Sequence, residues 1–322
     1  MMKGKWADIS YFFFPPSWPM VPLSIGDGED FWNERCAMNS GELSDYLARI
    51  GVGAAPVAGL DGLRSLQRAH RLAIPFENLD IPLGRGIDIS PAAVRAKLVR
   101  ARRGGYCFEQ NGLFVQALTA LGFTARPLLA RVWLGAPDEV PPRTHMLVLV
   151  TLDGRHWVAD TGFGGSFTPP MPLEDGAEAE TPDGARHRLR RCAMPGDPDG
   201  EWLLERDGVS AATDGRSAGS GWQPQYGFSL REVAPVDIEQ CNHWTATRPG
   251  TRFTSLCIVS RVLPDGFAAL TDARLSLYRG GQTEGGQLGG PEEYRDILAD
   301  LFGIGLPLAE VRALPMFASD PA

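Results

Sequence analysis

The sequence predicts an α+β chain, and three observations carry that expectation. Residues 38–122 place apolar side chains at helical spacing between glycine and proline breaks. Residues 123–222 hold short runs of Val, Leu, Thr and aromatics separated by Gly/Pro turns, the pattern of a small β-barrel. Residues 223–322 mix strand-like runs with a closing helix.

Each element has its own signal. Leu43, Leu47 and Ile50 share one face of a first helix, opened at Ser40 and ended by Gly51. Leu63 and Leu66 follow Asp61, a candidate N-cap, in a second. Ser90-Pro91 is a start signal, because proline at the first helical position loses an N–H that has no intrahelical partner. Val94 and Leu98 carry that apolar face to Gly104. A fourth helix opens at Cys107, packs through Phe114, Ala117, Leu118 and Leu121, and closes at Gly122. Strand-like runs follow at 124–133, 144–151 and 157–161, with shorter ones at 186–191 and 201–206. Runs 253–261 and 267–278 flank the turn Pro264-Asp265-Gly266, and 280–290 reads as a glycine-rich loop. Pro291 starts a last helix with Tyr294, Ile297, Leu298 and Leu301 on its apolar face and Gly303 at its end. There is no internal repeat.

Residues 1–37 stand apart. Trp6, Phe12, Phe13, Phe14 and Trp18 lie among prolines, with no uninterrupted apolar core or small-residue cleavage site of a signal peptide. The segment reads as a disordered tail or start-site artefact, with an aromatic lid or interaction arm as the alternative.

Composition narrows the function. A chain of 322 residues buries a substantial core and divides into two or three units. Its net charge of −8, with no long basic run, argues against a nucleic-acid partner. The 5 cysteines form no CxxC pair and no Cys/His metal spacing, which speaks against a metal site and suits a reducing cytoplasm. No apolar run approaches the ~18–20 residues of a membrane span.

Candidate chemistry centres on Arg102-Arg103-Gly104-Gly105-Tyr106-Cys107-Phe108-Glu109-Gln110-Asn111. The glycines end one helix and the cysteine opens the next. A thiol there faces unpaired N–H groups and the positive end of the helix dipole, both of which favour thiolate. His145 begins one strand run and Asp160 ends the next, with the hairpin turn Asp153-Gly154 between them. That turn sets Asp160 opposite Leu147, a diagonal neighbour of His145 on the same face, roughly 7 Å or less away between Cβ atoms. Cysteine, histidine and aspartate can then act as nucleophile, base and orienting group.

These motifs, with Ile74-Pro75-Phe76-Glu77-Asn78-Leu79, Arg143-Thr144-His145-Met146 and Asp160-Thr161-Gly162-Phe163-Gly164-Gly165, resemble those of the arylamine N-acetyltransferases. The resemblance runs from about residue 38 to about 302 and is weaker after Pro170. It implies a helical bundle (38–122) carrying the nucleophile, a β-barrel (123–222) carrying His145 and Asp160, and an α/β lid (223–322). The resulting site is cysteine-protease-like. The resemblance also implies acetyl-CoA as acyl donor, an arylamine or hydrazine as acceptor, and a ping-pong route through an acetyl-cysteine.

Other residues have expected roles. An Arg–Glu pair between Arg102 or Arg103 and Glu77 would fix the Cys107 loop, since the guanidinium fork holds a carboxylate bidentately. Phe76, Phe108 and Val132 are candidate walls of an acceptor pocket. Gly162, Gly164 and Gly165, with Phe163 between them, could bring bare amides to a pyrophosphate, and resemblance rather than spacing points to coenzyme A there. The resemblance also makes His243, in Asn242-His243-Trp244-Thr245, a candidate cofactor contact. His70, His156 and His187 read as edge or surface histidines. Rival functions are an amide synthase releasing a polyketide chain onto an aromatic amine, a transglutaminase-like thiol hydrolase, and a catalytically inert binding module. Oligomeric state is left open.

Overall fold

The computed structural model describes residues 38–135, 137–165, 167–213 and 221–318. Both readings of residues 1–37 fall outside the described residues.

Helix α1 (Ser40–Arg49) opens with reciprocal caps: the Asn39 side chain accepts the Glu42 N–H at 3.0 Å, and the Glu42 carboxylate accepts the Asn39 N–H at 3.1 Å. Helix α2 (Leu60–Ala73) begins one residue before Asp61, with Gly59 in the N-cap position. Asp61 therefore complements the dipole from within the first turn instead of capping it. Helix α3 (Pro91–Val94) starts after Ser90 as read, although the Ser90 side chain makes no cap bond, and runs on into a π-helical turn over Arg95–Arg100. Helix α4 (Cys107–Ala120) follows. Leu63, Leu66, Leu98, Phe114 and Leu118 pack these helices into one apolar cluster.

Eight antiparallel strands come next: β2 (Thr124–Val132), β3 (Arg143–Leu152), β4 (Arg155–Ala159), β5 (Met171–Pro172), β6 (Glu178–Glu180), β7 (Arg186–Arg190), β8 (Trp202–Asp207) and β9 (Gln223–Phe228). Numbering the two-residue Phe76–Glu77 strand as β1, their order is β5-β4-β3-β2-β9-β8-β7-β6. Leu147 of β3, Met171 of β5, Leu189 of β7 and Tyr226 of β9 share one buried cluster, with Ala179 of β6 against it. The sheet must curl nearly closed to bring its two ends to one core. The pleat sends Met146, Val148 and Val150 the other way, into the helical cluster.

A second sheet runs β1-β10-β11-β12-β13, with β10 (Ile258–Leu263), β11 (Gly266–Thr271), β12 (Arg274–Arg279) and β13 (Gln282–Gln287). Run 253–261 is not one strand, because a short helix (Arg252–Ser255) precedes β10, with the Thr251 N–H donating to the Thr254 hydroxyl at 3.2 Å. Run 267–278 breaks at Asp272, which adopts φ 46° and accepts the Cys257 N–H on its carboxylate at 2.9 Å. The glycine-rich 280–290 is largely β13, whose ladder uses backbone alone and so leaves no apolar signature. Helix α5 (Pro235–Thr247) was not foreseen: its buried face of Ile238, Asn242, Thr245 and Ala246 is half polar. Two closing helices, α6 (Pro291–Asp300) and α7 (Leu308–Arg312), bury Tyr294, Leu298 and Val311 against this second sheet. Among the described residues, no helix is long and apolar enough to cross a membrane.

Candidate active site

Strand β1 organises the nucleophile loop. On one side it pairs with β10, Phe76 opposite Ser260. On the other, the Glu77 N–H donates to the Gly105 carbonyl at 3.1 Å and the Gly105 N–H to the Pro75 carbonyl at 3.4 Å. This close approach requires the glycines. A Cβ on Gly104 would lie 2.4 Å from the Pro75 oxygen, and one on Gly105 would lie 2.8 Å from a Glu109 carboxylate oxygen. Tyr106 then takes the N-cap position, its N–H donating to Glu109 Oε2 at 3.1 Å. Cys107 becomes the first residue of α4, buried at 2% exposure, its Sγ donating to the Thr144 carbonyl at 3.4 Å.

The β3–β4 hairpin has the expected register, Val148 opposite Ala159. His145 Nε2 meets Asp160 Oδ2 at 2.8 Å, both side chains buried. At the other end of β3 the ladder to β2 slips: Ala130 pairs with His145 but Arg131 with Arg143, so Thr144 is a bulge. Such a bulge re-aims its neighbours, and here it turns the Thr144 carbonyl toward Cys107. Asp160 Oδ1 accepts Asn111 Nδ2 at 3.0 Å and the Gly162 N–H at 2.8 Å. Asn111 lies one helical turn after Cys107, so a single helix face carries both the thiol and the group that ties Asp160 down. Asn111 has no role assigned from its motif, although its i, i+4 spacing from Cys107 is a signal for one. Tyr226 was also missed. Its ring and that of Phe163 stand 4.8 and 5.1 Å from the imidazole.

The electrostatics are mixed. For Asp160, burial pushes the carboxyl up, but His145, Asn111 and the Gly162 N–H outweigh it and hold it below the ordinary value. For Cys107 the expectation of a depressed thiol is reversed. Burial, and then the Asp160 charge, push it well above the usual thiol range, and the backbone N–H groups of Met146, Phe108 and Cys107 offset only part of that rise. The helix terminus acts in the expected direction but is the smaller effect.

Phe76, Val132 and Phe163 line a cleft together with Cys107, His145 and Gly162. Trp244, Thr245 and Phe253, for which the sequence reading gave no role, complete its wall. Phe108 does not face this cleft; helix geometry turns it to a second cavity behind α4, beside Val115, Met146 and Ile238. The glycine loop is not an open cradle. The Gly162 amide is committed to Asp160, and a Cβ there would sit 2.7 Å from the Cys107 Cα. Gly164 and Gly165 are buried, their carbonyls accepting from Ser260 and Arg71. His243 is exposed on α5 and lies outside the cleft lining, which takes the next two residues instead.

Arg103 makes the expected fork on Glu77, with Nε and Nη2 at 2.8 and 3.0 Å from the two carboxylate oxygens. Arg102 does not: it is exposed at φ 52°, and its carbonyl accepts from Arg49. His156 is exposed as read. His70 is instead fully buried between the Tyr46 hydroxyl at 2.9 Å and Gln110 at 2.7 Å. His187 is buried on the inward side of β7. Burial pushes both imidazoles down to about 3, with nearby arginines adding to the effect.

A family model described as N-acetyltransferase matches residues 59–311. The chain is 38% identical over 267 residues to an arylamine N-acetyltransferase of Escherichia coli (strain K12), covering 82% of this chain and 89% of that protein. The solved arylamine N-acetyltransferase of Salmonella typhimurium superposes with a TM-score of 0.78 at 35% identity, covering 88% of this chain and all (100%) of that one. A Mycobacterium marinum arylamine N-acetyltransferase solved in complex with CoA superposes with a TM-score of 0.73 at 34% identity, over 84% of this chain and 97% of that one.

Proposed function

The chain belongs to the arylamine N-acetyltransferase family of acyltransferases, and from that premise we propose that it moves an acetyl group from acetyl-CoA to an arylamine or hydrazine through an acetyl-Cys107 intermediate. One observation carries this reading. Cys107 and His145 open into the same aromatic-walled cleft, with Asp160 hydrogen-bonded behind the imidazole. We read residues 38–122 as the unit presenting the nucleophile, 123–222 as the unit presenting its base, and 223–322 as the lid that supplies Trp244 and Phe253.

Asp160 occupies His145 Nε2, so Nδ1 is the ring nitrogen that exchanges protons with Cys107. Burial makes an isolated thiolate costly. Moving the proton from Sγ to Nδ1 creates both charges together, with the Asp160 carboxylate beside the new cation. Sγ then attacks the thioester carbonyl carbon. Its carbon–sulfur bond to coenzyme A breaks, and His145 returns the proton to the departing thiolate. The amine nitrogen next attacks the acetyl-cysteine, loses its proton to His145, and the amide leaves as Cys107 is restored. Arylamines are weakly basic and are unprotonated near neutral pH, so they need no strong base. Phe76, Phe163, Trp244 and Phe253 present flat apolar surface suited to an aromatic ring. The N–H groups of Cys107 and Phe108, at the first turn of α4, are the donors for the oxyanion.

The test is release of free coenzyme A from acetyl-CoA with and without an aryl amine. The proposal expects one equivalent per chain without amine and continuous turnover with it. Continuous release that ignores the amine would make the protein a hydrolase and overturn the reading.

A further inference from the structure

The geometry points to Lys97 as a positioning residue for Cys107, acting through the Glu109 carboxylate that caps helix α4; this rests on the reading of Cys107 as nucleophile. Lys97 lies in the π-helical turn that ends α3, just before the Arg102–Asn111 motif. Its Nζ is 2.8 Å from Glu109 Oε1 and 2.7 Å from Asp80 Oδ2. The Lys97 side chain is 17% exposed and that of Glu109 2%.

The chain of contacts to the thiol is short. Glu109 Oε2 accepts the Tyr106 N–H at 3.1 Å, the amide of the residue just before Cys107. The same carboxylate lies against the bare α-carbon of Gly105, so closely that a Cβ there would be 2.8 Å from Oε2. The position of this carboxylate and the path of the loop into Cys107 therefore define each other. On its other side, Asp80 Oδ1 accepts Arg103 Nη2 at 3.2 Å, and Arg103 forks onto Glu77 of β1. Lys97 thus joins two anchors of the nucleophile loop: the β1 edge that bonds Gly105, and the cap that bonds Tyr106.

Lys97 also limits how far burial raises the Glu109 carboxyl. Burial acts first and pushes its carboxyl up, the Lys97 ammonium and hydrogen bond oppose that rise, Glu77 adds to it, and the group settles at about 7. Without the ammonium, a buried carboxylate held by one backbone N–H would take up a proton or seek water. Either response moves the cap and the thiol it aims.

The experiment compares Lys97→Met, Glu109→Gln and the double variant. Readouts are Cys107 alkylation by iodoacetamide and the kcat and KM of acetyl transfer. Alkylation does not depend on the acceptor, so a wrong acceptor class would leave that arm intact. Lys97→Met should slow alkylation and kcat roughly tenfold to a hundredfold, as misplacement of a reacting group does. KM for the amine should stay within about twofold, because Lys97 does not line the cleft. Glu109→Gln keeps an oxygen for the Tyr106 N–H and needs no cation, so the double variant should alkylate within about threefold of Glu109→Gln alone. Where Lys97→Met fails to fold, that last comparison decides. A folded double variant far slower than Glu109→Gln, or a Lys97→Met thiol as reactive as wild type, would overturn the proposal.

Discussion

Replacing Asp160 by Asn separates electrostatic and tautomeric control from packing, and the contacts set the size of the effect. Asp160 Oδ1 accepts two buried donors, Asn111 Nδ2 and the Gly162 N–H, while Oδ2 faces His145 Nε2 at 2.8 Å. In Asp160→Asn the amide oxygen keeps the two donors and the NH₂ turns to His145. Nε2 must then accept, and the ring proton is forced onto Nδ1, the nitrogen that has to receive the Cys107 proton. Flipping the amide would restore the useful tautomer but would point NH₂ at two donors. Leaving two buried groups unpaired costs about 2–6 kcal/mol in total at 1–3 kcal/mol each. At about 1.4 kcal/mol per decade, acetylation should slow at least roughly thirtyfold, and about ten-thousandfold at the upper end. The assay is rapid-quench release of coenzyme A in the first turnover, alongside the pH profile of Cys107 alkylation, whose midpoint should move upward because loss of the proton-accepting tautomer outweighs relief of the direct Asp160–thiolate repulsion. Thermal unfolding of the same sample separates chemistry from misfolding. A well-folded Asp160→Asn protein with wild-type acetylation and an unchanged alkylation profile would refute the coupling and reduce the triad to a Cys–His dyad.

Other predictions follow from the same contacts. Cys107→Ala should abolish turnover, whereas Cys192, Cys241 and Cys257, which are free thiols outside the cleft lining, should each be replaceable by Ala with activity largely kept in the same assay. A chain beginning at Met38 should fold and retain acetyl transfer; a folded but inactive product would assign residues 1–37 a function. Stability should also respond to pH with a definite sign. The folded imidazoles of His70 and His187 are depressed to about 3, so their stabilisation is complete above about pH 6.5 and is lost as pH falls. By linkage that loss is about 1.4 kcal/mol each between pH 7.5 and 5.5. Glu109, raised to about 7, gains its proton in the same window and returns roughly 2 kcal/mol. Urea unfolding should therefore show wild type losing about 1 kcal/mol and Glu109→Gln about 3 kcal/mol over that range; equal losses would contradict it.

The geometry of the candidate site is legible in the sequence because it is local in two senses. A two-residue turn fixes the hairpin register, so the His145–Asp160 bond follows from counting. A Gly-Gly break followed by a helix start puts Cys107 at an N-terminus whatever the rest of the chain does. Long-range placement was not legible. That Phe76 and Glu77 form the edge of a sheet completed by residues 258–287 depends on tertiary pairing, as does the burial of His70 and His187. Helix α5 hid because polar Asn242 and Thr245 occupy its buried face, and with it went Trp244 as a cleft wall. The Cys107 thiol moved opposite to expectation because a helix terminus can be read from sequence, whereas full burial beside Asp160 cannot.

The most direct test of the account is where the acetyl group rests. Acetyl-CoA should be mixed with the protein without amine, quenched, digested, and mapped by peptide mass spectrometry. The account predicts one acetyl group per chain, on the peptide containing Cys107, lost on addition of an aryl amine with formation of the acetylated amine. Acetylation of another cysteine with Cys107 unmodified, or turnover with no acetylated peptide, would contradict it.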